Sequence, residues 1–193
     1  FDIAFQLICD MQDGRPHHFE ALVRFDRNNV ETGPFEFITF AEEVGIICDF
    51  DLAMCRKVLV WLDKMQGQGF RYMTAVNLSG FSLSTPKFVD DLMALLSEFS
   101  EARKHILFEV TESAKLEDLE EANRIIQSLR QAGHIVCLDD FGAGVSAFQY
   151  LSGLHIDVVK IDGAYVLEAM KSKRSRAVLK AMASMCRDLD IKT

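Results

Sequence analysis

The chain has 193 residues, 49% of them hydrophobic and 26% charged, a composition typical of one sizeable globular domain. The formal net charge of −8 argues against a nucleic-acid polymer as partner, because binding a polyanion needs a broad basic surface. No apolar run reaches the ~18 residues of a membrane span. The five scattered cysteines contain no C-x-x-C pair, a pattern that argues against a zinc site and indicates reduced thiols in a cytosolic protein. Because the chain begins with Phe1 rather than Met, we interpret it as a domain cut from a longer protein.

The first third of the chain predicts two antiparallel strands followed by helices. Apolar segments at residues 2–11 and 17–25 are joined by Gln12-Asp13-Gly14-Arg15, whose turn chemistry favours a hairpin. Residues 35–47 then predict a short helix, and residues 49–65 repeat apolar side chains at helical spacing.

The rest of the chain predicts strands that alternate with helices. We expect strands at 71–78, 105–110, 135–140 and 156–161, and helices from Thr85 and at 117–132, 146–151 and 175–189. This alternation is typical of a parallel α/β architecture with right-handed crossovers. About six strands are present and Ile191 would begin a seventh, so an eight-stranded barrel would be incomplete in this chain.

Polar side chains lie in or at the ends of successive predicted strands. They are Glu20, Asn77, Glu109, Asp139, Asp140 and Lys160. In a barrel such positions converge at the carboxyl-terminal face, and carboxylate and amide oxygens suit Mg²⁺ or Mn²⁺ rather than zinc. The adjacent aspartates make two metals ~3.5–4 Å apart plausible, which would activate a water for in-line attack on a phosphodiester. Lys160 could hold that water, and Arg24 could bind a phosphate oxygen.

Each of these residues also has a purely structural interpretation. Glu20 could form a salt bridge, Asn77 could cap a turn, Glu109 could face outward from an edge strand, and Lys160 could extend into water. We favour the metal site because independent accidents would not place acids at the end of strand after strand. The five histidines show no ligand spacing, and we assign them no metal role.

An ordered series of motifs resembles the EAL domain family, which contains cyclic di-GMP phosphodiesterases and their non-catalytic relatives. The motifs are Glu20-Ala21-Leu22-Val23-Arg24, Phe37-Ile38, Ala41-Glu42-Glu43-Val44-Gly45, Val76-Asn77-Leu78-Ser79, Glu109-Val110-Thr111-Glu112-Ser113, Asp139-Asp140-Phe141-Gly142 and Lys160-Ile161-Asp162. The resemblance covers nearly the whole chain. It implies that residues 1–193 form an EAL domain, a modified TIM (β/α)₈ barrel with an antiparallel first strand, lacking the last two βα units.

The resemblance implies hydrolysis of cyclic di-GMP to linear pGpG at a site with two Mg²⁺ or Mn²⁺ ions. The implied ligands of the first metal are Glu20, Asn77, Glu109 and Asp139, and those of the second are Asp139 and Asp140. The implied catalytic residues are Lys160, which would orient the water, with Glu20, Asp139 and Asp140. The implied contacts with the dinucleotide are Gln6, Leu22 and Arg24, and Glu112 would brace the loop after Asp140.

The loop after Asp140 departs from the family pattern at Ala143, Val145 and Ala147. This difference motivates an alternative function, a regulatory receptor that binds cyclic di-GMP without cleaving it. The resemblance also implies a general-base glutamate on a seventh strand beyond Thr193, so we expect the 193-residue segment alone to be inactive. A third alternative is an unrelated metal-dependent barrel enzyme that acts on a carbonyl substrate.

The resemblance further implies partners and a location. The ligand would be cyclic di-GMP, the domain could form a homodimer, and the parent protein would carry an upstream sensor or a GGDEF domain. The domain itself would be cytoplasmic, although the parent protein could be attached to a membrane.

Overall fold

The computed structural model of the chain describes residues 1–25, 33–111, 119–143 and 147–193. In these ranges an initial pair of strands is followed by alternating helices and strands. The strands are β1 (Asp2–Cys9), β2 (Pro16–Arg24), β3 (Met73–Leu78), β4 (Ile106–Thr111), β5 (Val136–Phe141) and β6 (Val158–Ile161). The helices are α1 (Pro34–Glu43), α2 (Ile47–Gln66), α3 (Pro86–Glu98), α4 (Leu119–Gln131), α5 (Ala147–Gly153), α6 (Gly163–Lys171) and α7 (Lys173–Asp188).

The strands form one six-stranded sheet in the order β1-β2-β3-β4-β5-β6. The β1–β2 pair is antiparallel and every later pair is parallel. A tight turn joins β1 to β2, in which Gly14 has a φ of 69° and the Asp10 amide donates to the Arg15 carbonyl at 2.9 Å. The predicted antiparallel opening and the mixed α/β class are therefore confirmed.

The two faces of the parallel strands have different chemistry. Val76 of β3 pairs with Phe108 of β4, Leu138 of β5 pairs with Val159 of β6, and all four side chains are buried in the hydrophobic core. Because side chains alternate along a strand, the residues that follow them point to the opposite face. That face carries Asn77, Glu109, Asp139 and Lys160, so the alternation that buries the apolar side chains also places these polar side chains together.

Helices α2, α3 and α4 contribute apolar faces to the core. The buried side chains of α2 recur three and four residues apart, as the sequence predicted, and include Met54, Val58 and Leu62. Pro86 begins α3, and α4 ends just before Gly133, whose φ of 92° is the left-handed conformation that commonly stops a helix.

Truncation of Leu62 to alanine tests how far the core depends on α2. Leu62 is fully buried, so we expect Leu62→Ala to lower the free energy of unfolding by about 2–5 kcal/mol through lost burial and a residual cavity. Val60→Ala is the matched control, because Val60 is 54% exposed on the same helix and its truncation should change stability by less than about 0.5 kcal/mol. Urea unfolding of both variants measures the difference, and similar midpoints would contradict the described packing.

The largest departure from the predicted elements lies after β6. The sequence predicted one helix over 175–189, whereas α6 and α7 both follow β6 and α7 begins at Lys173. Asp162 caps α6, since its Oδ1 accepts from the Ala164 amide at 2.6 Å. After α7, Lys192 forms a single parallel bridge with Val158 of β6, which is where a seventh strand was predicted to begin.

Strands β1 and β6 are the two edges of the sheet, so the barrel is not closed by the described part of the chain. None of the helices in that part combines the length and the apolar character needed to cross a lipid bilayer.

Candidate metal-binding site

Three carboxylates meet on the polar face of the sheet. Glu20 of β2, Glu109 of β4 and Asp139 of β5 each present one oxygen, and these oxygens all lie within 4.8 Å of one another. Asn77 of β3 joins them by donating from its Nδ2 to Glu20 Oε1 at 2.9 Å. Glu109 is opposite Asn77 in the β3–β4 pairing, so the parallel register itself brings the residues together.

Lys160 of β6 is the cation of this cluster. Its Nζ donates to Glu109 Oε2 and Asp139 Oδ2, both at 2.9 Å, and lies 3.7 Å from Glu20 Oε2. Burial alone would lower the pKa of Lys160, but the charges and hydrogen bonds of Glu109 and Asp139 outweigh it and raise that pKa above its ordinary value. Lys160 therefore remains charged, and one positive charge faces three acids.

Glu109 is the most enclosed member of the cluster, with none of its surface exposed. Burial raises the pKa of Glu109 to about 7, against the opposing effect of Lys160, and the charges of Asp139 and Glu20 raise it further. Its Oε1 is buried and has no hydrogen-bond partner. This cluster of carboxylate oxygens, with the Asn77 amide group beside it, fits a hard divalent cation such as Mg²⁺ or Mn²⁺.

Asp140 departs from the other predicted ligands. It has a φ of 53°, its amide donates to Asp139 Oδ1 at 2.9 Å, and its side chain is exposed. Although the residue is exposed, partial enclosure of its carboxyl group, with the charges of Asp139 and Asp162, raises the pKa of Asp140. Among the described residues Asp140 is not within the 4.8 Å group, but it borders the same cavity as Asp139, and its role at a second metal stays a prediction.

The backbone after Asp140 turns at a glycine that no other residue can replace without strain. Gly142 has a φ of 101°, and an added Cβ would lie 2.6 Å from the Tyr165 ring. The Tyr165 hydroxyl donates to the Gly142 carbonyl at 2.8 Å, which ties the loop to α6. Two predictions fall on residues outside the described ranges, namely the bracing role of Glu112 and the replacement at Val145 in the altered loop at 143–147.

A cavity of about 320 Å³ opens beside the cluster. Its polar wall contains Glu20, Asn77, Asp139 and Asp140, and its apolar wall contains Leu22, Ile38, Ile47, Phe50 and Met54. Arg24 also lines it, its Nη1 donates to the Val23 carbonyl at 2.8 Å, and its contact with a phosphate stays a prediction. Gln6 is exposed on β1 opposite Glu20 and is absent from the described cavity lining, so its contact with a ligand stays a prediction.

Asp51 is a residue of this cavity that the sequence interpretation missed. It is 4% exposed, and its Oδ2 accepts from the Ser79 amide at 2.9 Å and the Ser82 hydroxyl at 2.7 Å. These bonds hold the turn that immediately follows Asn77. A signal was present in the sequence, because Asp51 lies on the buried face of α2 between Ile47 and Cys55, where a charge needs a partner.

Asp51 predicts a pH dependence of stability. Burial raises its pKa from an ordinary value of 3.8 to about 6, so the folded protein binds this proton more tightly than the unfolded chain does. The contribution of Asp51 to stability therefore falls as pH rises from 3.8 to about 6. Asn does not titrate, so the stability of Asp51→Asn relative to wild type should rise by about 2–3 kcal/mol across that window.

Urea unfolding between about pH 4 and about pH 7 measures this difference. Asp49→Asn is the matched control, because Asp49 is exposed on the same helix and its replacement should leave the wild-type pH slope unchanged. Parallel pH profiles for wild type and Asp51→Asn would contradict the prediction.

His18 of β2 is the second residue that the sequence interpretation missed. It is 9% exposed, its Nδ1 lies 2.8 Å from Nδ1 of His17, and its Nε2 lies 4.0 Å from Glu109 Oε1. Burial lowers the pKa of His18 to about 4, with smaller contributions from the charges of His17 and Lys160, so this imidazole is neutral. Histidine spacing in the sequence carried no signal of this contact.

Comparison with known proteins finds cyclic di-GMP phosphodiesterases among the relatives of this chain. The chain is 30% identical over 194 residues to the cyclic di-GMP phosphodiesterase NbdA of Pseudomonas aeruginosa, covering 99% of this chain and 25% of NbdA. It is 33% identical over 185 residues to the cyclic di-GMP phosphodiesterase PdeR of Escherichia coli, covering 92% of this chain and 27% of PdeR. The chain thus spans about a quarter of the length of these relatives.

A solved structure and a family model agree with these similarities. The PaMucR phosphodiesterase in complex with c-di-GMP superposes with a TM-score of 0.84 at 26% identity, covering 98% of this chain and 78% of that one. The family model described as "EAL domain" matches residues 1–193. The chain therefore belongs to the EAL domain family.

Proposed function

We propose that the protein containing this chain hydrolyses one phosphodiester of cyclic di-GMP to give linear pGpG, in a divalent-metal-dependent reaction of second-messenger signalling. The observation that carries the proposal is the cluster of Glu20, Glu109 and Asp139 with Lys160, beside a cavity that Arg24 also lines. The similarity to NbdA and PdeR, whose names state this activity, supports the substrate.

In this proposal the residues of the cluster divide the work. Glu20, Asn77, Glu109 and Asp139 would hold a first Mg²⁺ or Mn²⁺, and Asp139 with Asp140 would hold a second. Such ions, when bound, polarise the phosphate and lower the pKa of a coordinated water.

Lys160 and the cavity walls would orient the reactants. Lys160 uses two of its three N–H groups for Glu109 and Asp139, which leaves one to donate to the attacking water. The Arg24 guanidinium would bind a phosphate oxygen through its planar fork. Leu22 and the other apolar side chains of the cavity would pack against the guanine rings and exclude water from them.

Product analysis with the intact protein tests the proposal. We expect incubation of cyclic di-GMP with Mn²⁺ or Mg²⁺ to give pGpG, and excess EDTA to stop the reaction. Tight binding of cyclic di-GMP without pGpG under either metal would contradict hydrolysis and support the receptor function. Failure to bind any cyclic dinucleotide would favour the carbonyl-directed alternative.

The setting of the domain remains a proposal as well. Because relatives such as NbdA and PdeR are about four times as long as their matched region, we propose a sensor or GGDEF domain in the same polypeptide. A cytoplasmic location, a homodimer and two further βα units beyond Thr193 stay predictions from the resemblance.

A further inference from the structure

Two unpartnered buried atoms face each other beneath the acidic cluster. His18 Nε2 and Glu109 Oε1 are both buried without a hydrogen-bond partner, and they lie 4.0 Å apart. A buried polar atom without a partner is destabilising, so two such atoms this close are better explained as a matched pair than as two independent defects.

The neighbouring histidine determines which hydrogen His18 carries. His17 Nδ1 and His18 Nδ1 are 2.8 Å apart, a hydrogen-bond distance in which one nitrogen must donate and the other must accept. A neutral imidazole has a single N–H. If His18 donated from Nδ1, its Nε2 lone pair would face the lone pairs of Oε1 in the ionised Glu109, the form that can bind a metal. If His17 donates, His18 carries its hydrogen on Nε2, the nitrogen that lies 4.0 Å from that oxygen.

We propose that His18 is a positioning residue for Glu109, with an Nε2–H that holds Glu109 Oε1 so that Oε2 is presented to the metal site. This inference rests on the proposed function. The chain of contacts runs from His17, which is exposed, through His18 to Glu109 and then from Glu109 Oε2 to Lys160 at 2.9 Å. The donors and acceptors in this chain of contacts are compatible, because each oxygen of Glu109 accepts from a different donor, Oε1 from His18 and Oε2 from Lys160.

The 4.0 Å distance between His18 Nε2 and Glu109 Oε1 is longer than a direct hydrogen bond, but a small change can connect the two atoms. One water could bridge the two atoms with hydrogen bonds of about 2.8 Å on each side. Alternatively, a side-chain rotation that moves one atom by about 1 Å would form a direct hydrogen bond. Either arrangement fixes the plane of the Glu109 carboxylate. Groups that orient a metal ligand in this way typically change metal affinity by about 10–100-fold when they are removed.

Calorimetric titration of the intact protein with MnCl₂ tests the proposal. We expect His18→Leu to weaken Mn²⁺ binding by about 10-fold, whereas His18→Gln, whose amide nitrogen can take the place of Nε2, should stay within about 3-fold of wild type. His155→Leu is the matched control, because His155 is exposed and bonds to Asn123 of α4. We expect that variant to bind Mn²⁺ as wild type does.

The tautomer of His18 gives a readout that does not depend on metal or on activity. Two-bond ¹H–¹⁵N correlation spectra of the metal-free protein at alkaline pH, where Glu109 is ionised, should show His18 protonated on Nε2; the signal is assigned with His18→Gln. In Glu109→Gln the signal should shift, because the acceptor that faces it has changed. This measurement stands even where His18→Leu does not fold.

The outcomes separate the two proposals. Equal Mn²⁺ affinity in wild type and His18→Leu would overturn the positioning role of His18 and leave the proposed function standing. Protonation of His18 on Nδ1 would do the same. A wild-type protein that binds no Mn²⁺ would overturn the proposed function and, with it, the purpose assigned to His18. Loss of affinity in His18→Leu with retention in His18→Gln supports both.

Discussion

Glu109→Gln should lower the rate of cyclic di-GMP hydrolysis by at least about 100-fold while leaving the fold intact. Glu109 is the buried carboxylate that contacts Lys160 and lies within 4.8 Å of Glu20 and Asp139, so the change removes one negative charge from the centre of the cluster. Groups that only orient a metal ligand already account for about 10–100-fold in affinity or activity, and a ligand itself should account for at least as much.

Stability should respond differently from activity. Burial raises the pKa of Glu109 to about 7, so in the metal-free protein a neutral side chain at this position costs little stability. We therefore expect the midpoint of thermal unfolding in EDTA to change by only about 2 °C. Steady-state kinetics and thermal unfolding measure the two effects. Glu98→Gln is the control, because Glu98 is exposed and bonds to Arg56, and this variant should keep wild-type turnover. Unchanged turnover in Glu109→Gln would contradict the proposed metal site.

Lys160→Met should separate metal binding from catalysis. Lys160 is the cation that contacts all three carboxylates, so its loss leaves Glu20, Glu109 and Asp139 with uncompensated repulsion. We expect the metal-free variant to be less stable by about 3 kcal/mol, in line with removal of one partner from a buried ion pair. Mn²⁺ should bind the variant more tightly than wild type, because no competing cation remains. Turnover should fall by about 100-fold, because the variant lacks the group that donates to the attacking water.

Thermal unfolding with EDTA and with MnCl₂ measures the first effect. The midpoint should rise more on metal addition in Lys160→Met than in wild type. Lys104→Met provides the control, since Lys104 is exposed and pairs only with Glu101 among its described ion pairs, and its response to metal should match wild type. An equal metal-induced rise in Lys160→Met would show that Lys160 does not compete for the site, and wild-type turnover would remove it from the mechanism.

The order and type of most elements could be predicted from the sequence because local periodicity reflects burial. The apolar spacing of α2 and the glycine turn between β1 and β2 both act within a few residues, and both predictions are confirmed. Helix α6 was missed because its exposed apolar side chains, such as Leu167 and Met170, give no clean amphipathic pattern. Asp162 was a local signal for its start, since its side chain caps the helix.

The sequence by itself determined the family, the α/β order and the set of acids that end successive strands, because each of these is written in local motifs and spacing. Only the tertiary structure decided which groups meet. Glu109 bonds to Lys160 across 51 residues, Ser82 bonds to Asp51 across 31, and His18 faces Glu109 on a strand two places away in the sheet. Such contacts depend on strand register and on burial from several elements at once, and no local pattern encodes them.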